Sequence, residues 1–408
     1  MGLISKLTAI ADAIRTKLGT TDKMTMDEMA SNIEAIPVGS DTWDRFVSGN
    51  MESVTLNQES IPVGFLMGYQ GGLKSLKITN ASTVPNDAFK SIPETYEPQI
   101  VDVDFGDVVE TIGDYAFYKQ EKIEKITGMN SLKEVGTYAF SEVGENAAGV
   151  VETLPSSAFL NITKLGSNAF SHCSLVSNIV NIGLSDTIQS NCFTLCANLE
   201  SVEFAEAKHI SSNIFASCTK LKSASFPKAT SIDSGAFWGC TSLESVNLPL
   251  CETLSSSAFN GAFTGDINID MPKLQSIGAT CFSSCKARSL LLGTGLTDQS
   301  ITVGEQAFRL CNCESIGLAF ENIPKNCFYH SYVLTDIYIT NTTGVATFSG
   351  SGWFTGCYRL FGTYDETYNP SSIKGAVHVP PNLLDAYKAD TGWINNFIGN
   401  GGEIVAID

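Results

Sequence analysis

Apolar positions along the chain recur every 20–30 residues, far beyond the period of a single helix or strand. Four consecutive stretches show the pattern: LESVEFAEAKHISSNIFASC, LKSASFPKATSIDSGAFWGC, LESVNLPLCETLSSSAFNGA and the looser IDMPKLQSIGATCFSSC. They align on Phe215, Phe237, Phe259 and Phe282, spaced 22, 22 and 23 residues apart. The series extends through Phe89, Phe117, Phe140, Phe170 and Phe193 on one side and Phe308, Phe328 and Phe354 on the other. The longer steps leave room for loops or an extra turn. Phe159, in an SSAF context, competes with Phe170 for one rung.

Within a unit, Leu199, Val202 and Phe204 match Leu221, Ala224 and Phe226, then Leu243, Val246 and Leu248. This is an L-x-x-L-x-L strand. A further apolar residue follows at Ile210, Ile232 and Leu254, and then a small residue with Phe, as in Ala236-Phe237. One such unit cannot bury its apolar face alone, whereas stacked units share a continuous core. The pattern therefore predicts a mainly β, right-handed leucine-rich-repeat solenoid of about twelve coils. At ~4.8 Å per strand this makes a rod on the order of 55–60 Å long. The phrase AFWGCTSLESVNLPLCETLSSSAF, residues 236–259, resembles the BspA-type leucine-rich repeat, and the resemblance runs over roughly residues 60–375. It implies a bacterial surface or adhesion protein. AVHVPPNLLDAYKADTGW, residues 376–393, is similar to the closing segment of such proteins.

Both ends depart from the repeat, giving three parts: 1–40, 46–375 and 376–408. Leu3, Leu7, Ile10, Ile14 and Leu18 form one apolar stripe on a helix, which Gly19 stops. A second helix opens at Thr25, with Glu28 in a capping-box position. Met26, Met29 and Ile33 line it, and Pro37 ends it. This helical hairpin either caps the first coil or serves as an anchor that self-associates or docks to another protein. LTAIADAIRTKLGTTDKMTMDEMASNIEAI resembles the N-terminal segment of phage and prophage tail-associated proteins and also of gut Firmicutes surface proteins. The first resemblance implies a virion component whose partners are other virion proteins; the second implies a bacterial surface protein. At the far end, Pro380 and Pro381 open a short helix from Leu383 to about Lys388. Tyr387 and Trp393 pack under it, and EIVAID supplies an edge strand over the last coil.

Charge narrows the partners. The chain has 25 Lys+Arg against 43 Asp+Glu, a net charge of −18. Such a chain repels phosphate backbones, which argues against nucleic acid and against a DNA-binding reading of the hairpin. No run of about 18 apolar residues predicts a membrane span. The first 20 residues are interrupted by Lys6, Asp12, Arg15 and Lys17, unlike a signal peptide.

Ten of the twelve cysteines fall in repeat slots. Cys173, Cys196, Cys218, Cys240, Cys285, Cys311 and Cys357 each follow a rung Phe by three residues. Cys192, Cys281 and Cys327 each precede one directly, and Cys251 and Cys313 have no slot. Slots shared with Ala or Gly predict small apolar core residues rather than a disulfide framework or a zinc site. His172, His209, His330 and His378 form no recognisable triad, and no P-loop, H-E-x-x-H or G-x-S-x-G occurs. No cofactor, metal or catalytic residue is expected.

In each strand the residue between the last two apolar positions points outward. This column includes Glu203, Ser225, Asn247, Asn268 and Tyr338, the candidate ligand contacts. Lys77, Asp104, Thr127, Leu291 and Gly317 complete it. The sequence thus predicts a non-enzymatic recognition protein contacting a host-surface glycan or protein. The leading setting is a phage or prophage virion; the alternatives are a bacterial cell-surface adhesin or a protein–protein scaffold.

Overall fold

The computed structural model describes residues 52–57, 59–61, 72–91, 99–181, 184, 187–292, 297–362 and 374–407. The whole hairpin, Leu3, Leu7, Ile10, Ile14, Leu18, Met26, Met29 and Ile33 included, lies outside the described residues.

Most coils contribute two short strands, and every strand pairing among the described residues is parallel, from one coil to the next. The first face is built from the L-x-x-L-x-L segments in three hydrogen-bonded groups. The first runs from Ser53–Leu56 to Lys125–Thr127. The central one comprises Asn178–Asn181, Ser201–Phe204, Ser223–Ser225 and Ser245–Asn247. The last runs from Thr264–Ile269 to Ile404–Ala406. The second face is made of two-residue strands carrying the further apolar residue, such as His209–Ile210, Ser231–Ile232 and Thr253–Leu254. Fourteen strands stack on the first face among the described residues, against the twelve coils expected. Ser53–Leu56, Ala376–Val379 and Ile404–Ala406 extend the first face past the ends of the Phe series, while the coil of Phe170 has no first-face strand among the described residues.

The core lies between the faces, and the Phe residues run through it as a stack. Phe237 is fully buried, with ring centroids 5.4 Å from Phe215 and 5.0 Å from Phe259. Phe170 is the true rung, stacking at 5.1 Å on Phe140 and 5.6 Å on Phe193. Phe159 meets both Phe170 and Phe193 edge-on. It comes from a 3-10 turn, Ser156–Phe159, which accounts for the long Phe140–Phe170 step.

Around each rung Phe from Phe117 to Phe354 the backbone enters the left-handed region twice, two residues before and two after the ring. Asn213, Gly235 and Ser257 have φ of 54°, 66° and 58°; Ser217, Gly239 and Gly261 have φ of 59°, 71° and 68°. Asn and Gly tolerate this conformation at least cost, which suits Asn213, Gly235, Gly239 and Gly261 to these positions.

The C-terminal segment holds a 3-10 turn and two short helices. Pro381–Leu383 is a 3-10 turn leading into α1, Leu384–Ala389. A second helix, α2, spans Thr391–Asn396. Asp390 starts it by accepting the Trp393 N–H at 3.0 Å. Tyr387 and Trp393 are fully buried, and Ile404–Ala406 pairs in parallel with Ala376–Val379.

Candidate outward-face recognition site

The outward columns of the first face emerge in register. Val180, Glu203, Ser225 and Asn247 are directly aligned across the central group. Asn268, Leu291, Gly317, Tyr338 and His378 are aligned across the last. The five candidates therefore split. Glu203, Ser225 and Asn247 line one shallow cleft of about 380 Å³. Asn268 and Tyr338 belong to the next hydrogen-bonded group. There Tyr338 stacks on His378 at 4.3 Å, and His378 Nε2 lies 2.7 Å from Asp336 Oδ1. Gly317 is buried, because Leu291 and Tyr338 close in on either side of it.

Sequence reasoning missed half of the cleft. Two residues before the expected column runs a second outward one, in which Asn178, Ser201, Ser223 and Ser245 are aligned. Its signal was the residue preceding the middle apolar position in SVE, SAS and SVN. Period-two alternation puts both columns on one face. Short side chains dominate, so the cleft floor is low. Ser201 Oγ donates to Asn178 Oδ1 at 2.7 Å, and Asn247 Nδ2 donates to Ser225 Oγ at 3.1 Å. At the flank, Lys222 pairs with Glu200 at 2.9 Å. This pairing lowers the Glu200 carboxyl from its ordinary pKa and raises the Lys222 ammonium, chiefly by direct hydrogen bonding.

The cysteine slots carry more than small volume. Cys196, Cys218, Cys240, Cys285, Cys311 and Cys357 each point Sγ at the carbonyl oxygen of the preceding coil's Phe, at 2.8–3.5 Å. Ser331 fills the same slot and donates to the Phe308 carbonyl at 2.8 Å. Gln120 does likewise to Phe89 at 2.5 Å. The slot is therefore a weak hydrogen-bond donor position, a correction to the purely apolar reading, although Val143 and Ala262 show that the donor is dispensable.

All twelve cysteines are buried free thiols. Burial pushes Cys173, Cys192, Cys218, Cys251 and Cys357 up to about 12. The fold thus retains protons that an unfolded thiol releases near pH 8.5. Their contribution to stability is complete below that pH and is lost as pH rises towards 12. Native protein at pH 8–9 is expected to resist a thiol-alkylating reagent. Denatured protein, never exposed to reductant, is expected to titrate close to twelve thiols. Rapid native labelling, or a denatured count near zero, contradicts this.

Catalytic chemistry finds little footing. The Ser231 hydroxyl lies 2.7 Å from His209 Nδ1 on the exposed second face, but no carboxylate bonds that imidazole among the described residues. No group of three or more His, Cys, Asp or Glu among the described residues is placed to hold a metal ion. No described helix is long and apolar enough to cross a membrane.

The family model for the BspA type leucine rich repeat region matches residues 82–165, 153–266 and 252–362. A leucine-rich repeat protein from Bacteroides ovatus is 18% identical with a TM-score of 0.53, over 80% of this chain and 92% of that one. The pneumococcal vaccine antigen PcpA is 15% identical with a TM-score of 0.38, over 82% of this chain and 79% of its own. A leucine rich cell surface protein from Faecalibacterium prausnitzii is 16% identical with a TM-score of 0.32, over 81% and 85%. No curated protein matches the sequence. The Bacteroides likeness supports the solenoid fold.

Proposed function

The chain belongs to the BspA-type leucine-rich repeat family, and from that premise we propose that it is a non-enzymatic recognition protein of a bacterial cell surface. It binds an extended host-surface ligand along the first face of the rod. The observation that carries this reading is the central cleft, where Glu203, Ser225 and Asn247 meet the serine column on one exposed sheet face. Repeat proteins use such uninterrupted faces because each coil adds a contact without disturbing its neighbours. The family match over residues 82–362 supports the surface setting, whereas the virion setting rests on residues 1–40 alone.

Binding of the labelled full chain to arrays of host glycans and extracellular proteins tests the reading. Saturable binding is expected, weakened at least tenfold by Ser223→Tyr, which fills the cleft, with the thermal midpoint unchanged. Binding indifferent to that substitution overturns the cleft as the recognition site.

Residues 1–40 act, on this reading, as the anchor. The hairpin that the sequence predicts there has too little core to stand alone, and the polar segment after Pro37 favours a copy of itself or a partner over the first coil as what it packs on. Deleting 1–40 is expected to abolish self-association, measured by light scattering, and to leave the rod folded and monomeric. If the deletion leaves assembly unchanged and instead unfolds the first coils, the segment is a cap.

A further inference from the structure

We propose that the central cleft binds a neutral, linear oligosaccharide laid along the rod axis, about one sugar unit per coil. The inference deepens the recognition reading and rests on it.

The arrangement of polar groups comes first. The cleft spans four aligned strands, about 14 Å at ~4.8 Å per strand. Its two columns present Ser201, Ser223 and Ser245 beside Glu203, Ser225 and Asn247. The Ser223 and Ser245 hydroxyls and the Glu203 carboxylate have no hydrogen-bonding or ion-pairing partner among the described residues. A hydroxyl both donates and accepts, so a row of them repeating coil by coil suits a ligand that also offers hydroxyls at regular intervals. Glu203 can accept from two neighbouring sugar hydroxyls and so fix the register. Val180, aligned with Glu203 at one end, offers an apolar surface for sugar C–H groups.

Peptide capture fits less well. The commonest peptide mode on a sheet adds a strand to a free edge. The two middle strands here are paired on both sides, so over them the floor presents side chains and no open backbone ladder. Nor does the cleft hold an aromatic or deep apolar pocket to anchor a side chain. Charge excludes acidic polysaccharides: the chain carries −18, and the one ionised group in the cleft is a carboxylate.

The test is isothermal titration of the full chain with cellohexaose, laminarihexaose, maltohexaose, chitohexaose and mannohexaose, each beside its disaccharide. An oligogalacturonate hexamer is the acidic control. At least one neutral hexamer is expected to bind ten times or more tightly than its disaccharide and than the acidic control. Glu203→Gln is expected to weaken it at least tenfold and Ser223→Tyr to abolish it. Thr253→Ala, on the opposite face, is expected to change nothing. Equal affinity for dimer and hexamer, preference for the acidic hexamer, or indifference to both cleft substitutions overturns the proposal. If no hexasaccharide binds while a protein ligand from the arrays still depends on Ser223, the glycan class falls and the recognition reading stands. If nothing depends on Ser223, both fall.

Discussion

Phe237→Ala is expected to lower the unfolding free energy by about 3–5 kcal/mol, because the ring cannot be replaced by collapse of its surroundings. Phe237 lies between Phe215 at 5.4 Å and Phe259 at 5.0 Å, and Phe226 closes a third side at 5.8 Å. Those neighbours are held by their own coils, whose backbones are paired above and below. The cavity therefore persists, and the lost transfer energy and lost dispersion contacts add. In a solenoid the damage spreads only through adjacent interfaces. A mid-rod rung is the worst place for it, since it weakens the coupling of both halves. The exposed Asn247→Ala, which loses one bond to Ser225, is expected to cost under ~0.5 kcal/mol. Denaturant melts of the two variants check the contrast. Equal losses mean that the inward and outward positions are wrongly assigned.

What could be read from the chain follows from the physics of a repeat. An apolar position that recurs every 22 residues is enforced by the core each time, so Phe215, Phe237 and Phe259 betray one another. The outward column was legible for the same reason, since Glu203, Ser225 and Asn247 sit at one fixed offset from buried Val202, Ala224 and the half-buried Val246. The cleft as a unit was not, because nothing in a strand's sequence says where hydrogen bonding between neighbouring coils lapses. It lapses between Ser245–Asn247 and Thr264–Ile269, and this separates Asn268 and Tyr338 from the other three candidates. The donor role of the cysteine slot was equally hidden. Volume and polarity alone make Cys an apolar filler; only the geometry shows Sγ facing the Phe carbonyl of the coil before. Ser331 and Gln120 were the available signal, two polar residues in a slot otherwise judged apolar.

Trp393→Ala is expected to cost a similar 3–5 kcal/mol and to free the C-terminal coils before the rest of the rod. Each coil normally passes its backbone hydrogen bonds to the next: the Glu321 carbonyl accepts the Thr347 N–H at 3.1 Å. One coil later the equivalent carbonyl belongs to Ala346, and the cap side chains act in place of a further strand. Trp393 Nε1–H donates to the Ala346 carbonyl at 2.7 Å, and the Tyr387 hydroxyl oxygen accepts the Ala346 N–H at 2.8 Å. The indole also covers Phe348 at 4.8 Å and Phe397 at 5.7 Å. Removing it therefore opens a cavity, strands a buried carbonyl and uncovers Phe348, which packs edge-on against the last rung, Phe354. Tyr387→Phe, which strands only the Ala346 N–H, is expected to cost about 1–3 kcal/mol. Hydrogen exchange is the decisive measurement, because a capping role predicts lost protection at Ala346–Phe348 and Ala376–Val379 while Ser201–Phe204 keeps its own. Uniform loss along the rod means that the stack unfolds as one cooperative unit and that the cap acts on all of it.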